Sequence, residues 1–169
     1  MVFVFSRRKM RTKQSHLAIL EEKGEGIMKE RYSNILAAVD GSPQAHQALM
    51  EAVEAARRNN ARLYIARVIN NSGIMLNSAT PVSQILEEEK QYALNELEEE
   101  AAKIDYYNKQ LITCVGSPKK ALCFDLPETY HIDLIYIGAT GKGAVERVLV
   151  GSTTDYVINN APCNVMVVK

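Results

Sequence analysis

Residues 34–44 read "NILAAVDGSPQ". The run from Ile35 to Val39 is apolar without alternation and ends on Asp40, the pattern of a strand over 35–40 buried on both faces. Ser42 is a favoured N-cap, and Pro43 suits the first helical position, where its missing N–H costs nothing. The helix predicted from there carries Ala45, Ala48, Leu49, Ala52, Val53 and Ala56 on one face. It ends in Arg57-Arg58-Asn59-Asn60, a basic and polar run suited to a helix C-terminus. A doubly buried strand feeding directly into a helix is the opening unit of a parallel α/β sheet.

The alternation continues along the chain. A strand is predicted over 61–69, rich in branched residues. The polar loop that follows, 70–81, is long for a simple connection and is a candidate functional loop. The next helix, about 82–104, has the stripe Val82, Leu86, Ala93, Leu97, Ala101 and Ile104, with glutamates filling an opposite, solvated face. A strand over 110–115 precedes a second Ser-Pro helix start at Ser117 and Pro118, and Pro127 should end or kink that helix after Leu126. Then come an apolar strand over 132–138, a short helix over about 152–160 and a last strand over 164–169. The expected fold is α/β: an open, doubly wound, five-stranded, mostly parallel sheet with helices on both faces, Rossmann-like, with right-handed crossovers. Ligands of such sheets sit beyond the C-terminal strand ends where strand order reverses. That directs attention to Asp40-Gly41-Ser42 and to the glycine loop after residue 138.

Composition narrows the function. Net charge is zero, so no global electrostatic case exists for nucleic acid or an anionic membrane. No apolar run reaches the length of a membrane span. Cys114, Cys123 and Cys163 lack metal-ligand spacing and are expected to be reduced and mostly buried, in a cytosolic compartment. The domain is expected over 31–169, with 1–30 as an extension that is flexible or comes from an upstream start. "MVFVF" is too short for a signal-peptide core, and the basic "SRRKMRTK" follows it rather than preceding it. A biological start at Met28 is one hypothesis, because the codons for Lys23-Gly24-Glu25-Gly26 read as a purine-rich ribosome-binding site. Mass analysis of the native N-terminus decides this, and a chain beginning at Met1 sinks it.

The glycine loop runs "GATGKGAVERVLVGSTTDYV" over 138–157. Gly138 lets the chain turn away from its strand, and Gly141 lets backbone approach a ligand without a Cβ in the way. Gly151-Ser152-Thr153 adds hydroxyls to the N–H groups of a helix N-terminus, a natural anion cradle. Each such contact is modest, about 0.3–1 kcal/mol, but several converge. The same residues would also serve as ordinary turn and cap residues. No G-x-G-x-x-G follows the first strand, and Lys142 precedes Gly143 rather than Ser or Thr, so neither the dinucleotide fingerprint nor the P-loop is present. Gly141→Val is expected to abolish binding by placing a side chain where phosphate belongs.

Gly138-x-x-Gly141, nine residues, then Gly151-Ser152 resembles the nucleotide-binding signature of the universal stress protein family, in its ATP-binding branch. "NILAAVDGSPQAHQAL" resembles that family's opening, and 133–169 its closing third. The resemblance implies that Asp40 accepts a hydrogen bond from ribose, with Ala38 beside the adenine, Val39 among the nucleotide-binding residues and Val68 offering backbone groups to the adenine edge. It places Gly138 under the ribose, with Ala139 next to it. Gly141, Gly151, Ser152 and Thr153 would hold the phosphates, and Lys142 could reach the terminal one. It further implies ATP, with ADP or AMP as alternatives, bridged by Mg²⁺ or Mn²⁺, and a cytoplasmic homodimer paired through the last strand. The function implied is a nucleotide-dependent regulator of the stress response; the alternatives are a slow ATPase or phosphotransferase and a nucleotide-free structural member. The loop supplies no histidine and, before its helix, Glu146 as its carboxylate. His46 reads as a surface residue, and His131 lies at the opposite end of the sheet. Binding is therefore supported and chemistry is not.

Overall fold

In chain order the elements are β1 (Val2–Phe5), β2 (Asn34–Ala38), α1 (Pro43–Asn59), β3 (Arg62–Ile69), α2 (Val82–Ala102), β4 (Lys109–Val115), α3 (Pro118–Lys120), a π turn (Ala121–Asp125), α4 (Leu126–Tyr130), β5 (Leu134–Gly138), α5 (Ser152–Asn160) and β6 (Asn164–Val168). They come from a computed structural model that describes residues 2–5, 31–71, 81–142 and 150–169. The sheet is six-stranded in the order β1-β6-β5-β2-β3-β4. Strands β2 to β6 are mutually parallel, which is the expected five-stranded sheet. The sixth strand, β1, comes from the N-terminal segment and pairs antiparallel with β6.

Side chains alternate across this sheet, and both faces are covered. Ile35, Ala37, Leu63 and Ile65 join Ala48, Leu49 and Ala52 of α1 and Leu97 and Ala101 of α2 in one apolar cluster. Leu36, Ala66, Ile135 and Ile137 point the other way, against Leu122 and Cys123 of the π turn, Leu126 of α4 and Val157 of α5. Burial on both faces is the physical reason that the central strands β2 and β5 read as unbroken apolar runs.

Three expectations are refined. Of the two outcomes expected at Pro127, an end or a kink, the helix does not end: it distorts into the π turn and continues as α4 to Tyr130. A proline ring collides with the carbonyl four residues back in a regular α-helix, and the widened turn gives it room. Of the cysteines, Cys123 is buried, whereas Cys114 and Cys163 are half-buried. The N-terminal segment is not wholly apart from the domain, since Val2–Phe5 extend its sheet. The 70–81 loop lies mostly outside the described residues.

Candidate functional site

At the C-terminal edge of the sheet, β2 has β3 on one side and β5 on the other, so the connections leave in opposite directions and a crevice opens between them. A cavity of about 600 Å³ lies there. Ala66 and Val68 of β3, with Pro118 and Leu122 beyond β4, give it an apolar wall. From the β5 side come Gly138, Thr140, Gly141, Lys142 and the first turn of α5, Ser152 to Thr154, with Gly151 before it. Ala38, Val39 and Asp40 lie between. Every sequence-predicted site residue therefore lines this cavity except Ala139. That residue is buried, packs in the core cluster and uses its backbone to tie strands together, its N–H donating to Val168 O at 2.7 Å.

Asp40 is the post to which the glycine loop is tied. Its Oδ1 accepts from Ser42 N–H at 2.9 Å, and its Oδ2 accepts from Lys142 N–H at 3.1 Å. Gly41 makes the bend between them with φ +80°, a conformation costly for residues with a Cβ. Gly141 is also glycine for a local reason, because a Cβ there would collide with Asp40 Oδ2 and force that carboxylate to shift. Gly141→Val would thus break the loop's anchor as well as fill the cradle, and its loss of binding would not isolate the phosphate site. Gly138 answers to a different neighbour: a Cβ would lie 2.9 Å from Ala45 N and from Gln44 C, so the glycine lets the first turn of α1 sit directly on β5.

Gly151 is the N-cap of α5 and has no side chain to occupy the first-turn N–H groups. Its own N–H donates to Ala139 O at 2.7 Å, and the buried Thr154 hydroxyl donates to Gly138 O at 2.8 Å. These two bonds fix the positive end of the α5 dipole against the cavity. A Cβ at Gly151 would meet nothing closer than Ala139 O at 3.6 Å, so the protein itself leaves room for a side chain there.

Residues 31–169 match the model of the universal stress protein family. The chain belongs to the universal stress protein family. It is 36% identical over 141 residues to a universal stress protein of Staphylococcus haemolyticus, covering 82% of this chain and 85% of that one. Among solved structures, the universal stress protein UspA from Lactobacillus plantarum is similar with a TM-score of 0.73 and 37% identity, over 83% of this chain and 99% of that chain. A universal stress protein in complex with cAMP shares the fold at 22% identity and a TM-score of 0.62, over 83% of this chain and 99% of that one.

Beside the cradle this universal stress protein carries a charge cluster that sequence reading did not find. Arg67 Nη1 lies 2.5 Å from Glu96 Oε2, although without the angle of a hydrogen bond. The Tyr92 hydroxyl donates to Glu96 Oε1 at 2.9 Å. That hydroxyl, seconded by the charges of Arg67 and Lys142, holds the Glu96 carboxyl below its ordinary range, while desolvation opposes them. The Lys142 side chain lies across Gly41, where a Cβ would be 2.8 Å from its Cε and Nζ. The glutamates of α2 are thus not all an idle solvated face. His46, by contrast, is a surface residue, its Nδ1 2.8 Å from Glu100 Oε1.

Of the wall residues that sequence reading missed, Ala66 was within reach of it, because it stands two positions before Val68 and so faces the same way. Pro118 and Leu122 gave no such signal: they reach the wall from beyond β4, a placement that sequence order does not show. Thr154 was hidden beside two hydroxyls of the same kind. Glu146 and Arg147 lie outside the described residues. Among the described residues no three His, Cys, Asp or Glu side chains come together as a metal site.

Proposed function

We propose that this universal stress protein binds an adenine nucleotide, ATP in its working state, and acts as a nucleotide-dependent regulator rather than an enzyme. The observation that carries the reading is one crevice that joins an apolar wall to a cradle of glycine backbone and helix N-terminus. A flat base suits Ala38, Val68, Pro118 and Leu122, and phosphates suit Gly141, Gly151, Ser152, Thr153 and the end of α5. Asp40, with lone pairs left beside its two backbone bonds, is the proposed ribose acceptor. Lys142 is proposed to swing from Gly41 toward the terminal phosphate. Mg²⁺ or Mn²⁺ would rest chiefly on phosphate oxygens, since Asp40 is the one carboxylate among the described residues lining the cavity. The cAMP complex of a related protein supports an adenine nucleotide as ligand class. The proposed setting is the cytoplasm, where the cysteines stay reduced.

Hydrolysis needs a base near the terminal phosphate. Asp40 is committed to two backbone N–H groups and Glu96 to Arg67 and Tyr92. No observation favours the slow-ATPase reading. The test is to denature freshly purified protein and identify the nucleotide released, then incubate a stripped preparation with ATP and Mg²⁺. ATP recovered intact is the expected result; ADP or AMP accumulating in a clean preparation would move the assignment to a hydrolase.

A further inference from the structure

Lys142 belongs to two places at once. It lines the cavity, and its side chain also lies across Gly41, where a Cβ would stand 2.8 Å from its Nζ and 3.8 Å from Arg67 Nη1. Two cations therefore meet just beyond the end of β2. Arg67 stands between Ala66 and Val68 in β3; those two line the cavity, so the arginine side chain leaves from the other face of the sheet, toward α2. There Glu96 meets it, with Oε2 2.5 Å from Arg67 Nη1. We propose that Glu96 is a positioning residue for the cradle: it competes with a ligand's terminal phosphate for Lys142, and so sets how strongly the protein prefers ATP to AMP. The role rests on the nucleotide reading of the site.

Charge balance makes Glu96 the counterion of this cluster. Arg67 and Lys142 bring two positive charges to one point, and Glu96 brings the negative charge between them. The Tyr92 hydroxyl, with the charges of Arg67 and Lys142, favours the ionised carboxyl against desolvation. Its Oε2 is buried and accepts no hydrogen bond, so lone pairs remain there for a further donor. Arg67 cannot follow a ligand, because its side chain is only 15% exposed and lies on the far face of the sheet. Lys142 is exposed and can. A terminal phosphate that draws Lys142 into the cavity must take it from Glu96, and the separation offsets part of what the new contact contributes. The single phosphate of AMP, held by Gly151, Ser152 and Thr153, makes no demand on Lys142. Glu96 therefore weakens ATP, leaves AMP untouched and narrows the gap between them.

The experiment titrates ATP and AMP calorimetrically, each with Mg²⁺ and at about 50 mM salt so that screening stays weak. It compares the parent with Glu96→Gln, Lys142→Met and the double variant, with folding checked by thermal melting. Glu96→Gln should bind ATP about three- to tenfold more tightly and AMP within about twofold of the parent. In the Lys142→Met background the same change should gain nothing for ATP. A merely structural Glu96 would give a loss instead of a gain. Equal or weaker ATP binding by folded Glu96→Gln, an equal gain for AMP, or a gain that survives Lys142→Met would overturn the proposal. Should Glu96→Gln not fold, Glu96→Asp decides in its place: it draws the charge back by one methylene and should give a smaller gain of the same sign, and no gain overturns the role. Tripolyphosphate, which carries the charge without a base, separates this role from the nucleotide reading. If the parent binds no ATP, that reading falls, and tripolyphosphate then judges Glu96: tighter binding by the variant upholds its role, and equal or absent binding overturns it.

Discussion

The chain starts a helix with Ser-Pro twice, and the two starts turn out differently. At Ser42-Pro43 the serine hydroxyl accepts from Ala45 N–H at 3.2 Å, and α1 runs unbroken for 17 residues. At Ser117-Pro118 no side-chain cap bond forms, and α3 gives way after 3 residues to the π turn. The local signal is the same. What differs is the neighbour: the first turn of α1 is pressed onto β5 through Gly138, whereas α3 leads into a segment that must accommodate Pro127. The rigid start fixes the Asp40 side of the crevice, and the irregular one brings Pro118 and Leu122 to its apolar wall. A sequence signal for a cap thus sets where a helix begins, while packing sets how far it runs and what it presents.

The comparison can be broken most severely at Gly138. Gly138→Ala puts a methyl into the backbone of α1 and should cost about 1–3 kcal/mol, measured by denaturant unfolding. A variant as stable as the parent would show that α1 does not need this close approach. Ser42→Ala should cost about 1 kcal/mol, because a buried cap bond is lost. Ser117→Ala, with no cap bond to lose, should stay within about 0.5 kcal/mol of the parent. Equal losses at the two serines would contradict the distinction between the two starts.

A finer test uses the π turn's own thiol. Burial pushes Cys123 from 9.0 up to about 11. Between those values the unfolded chain releases a proton that the folded chain keeps, so stability should fall as pH rises through that window. Cys123→Ala should flatten this part of the profile. An unchanged alkaline limb would assign the loss elsewhere, with Tyr136, pushed up to about 12, acting at higher pH.

Most of the fold was legible because its signals are local. Doubly buried strands announce themselves as unbroken apolar runs, and α5 spans Ser152–Asn160 as its hydroxyl start predicts. The glycines were legible as a site but not as individuals. Gly138 is glycine for α1, Gly141 for Asp40, and Gly151 for no steric demand of the protein, and each reason lies in a partner distant in sequence. The π turn was illegible for the opposite reason: Pro127 reads as a stop or a kink, and no local rule says that a wider turn can carry the helix past it. Strand β1 was missed because four apolar residues beside a basic run carry no period of their own, and β6 gives them their structure.

That Gly151 faces the cavity without a steric duty makes it the sharpest probe of the binding claim. Isothermal titration of the stripped protein with ATP and Mg²⁺ should be compared with the same titration of Gly151→Val, with folding of the variant checked by thermal melting. The account predicts saturable binding by the parent and a loss of at least about tenfold in affinity, ~1.4 kcal/mol, in a variant that melts with the parent. Equal affinity in the folded variant, or no binding by the parent, would contradict it.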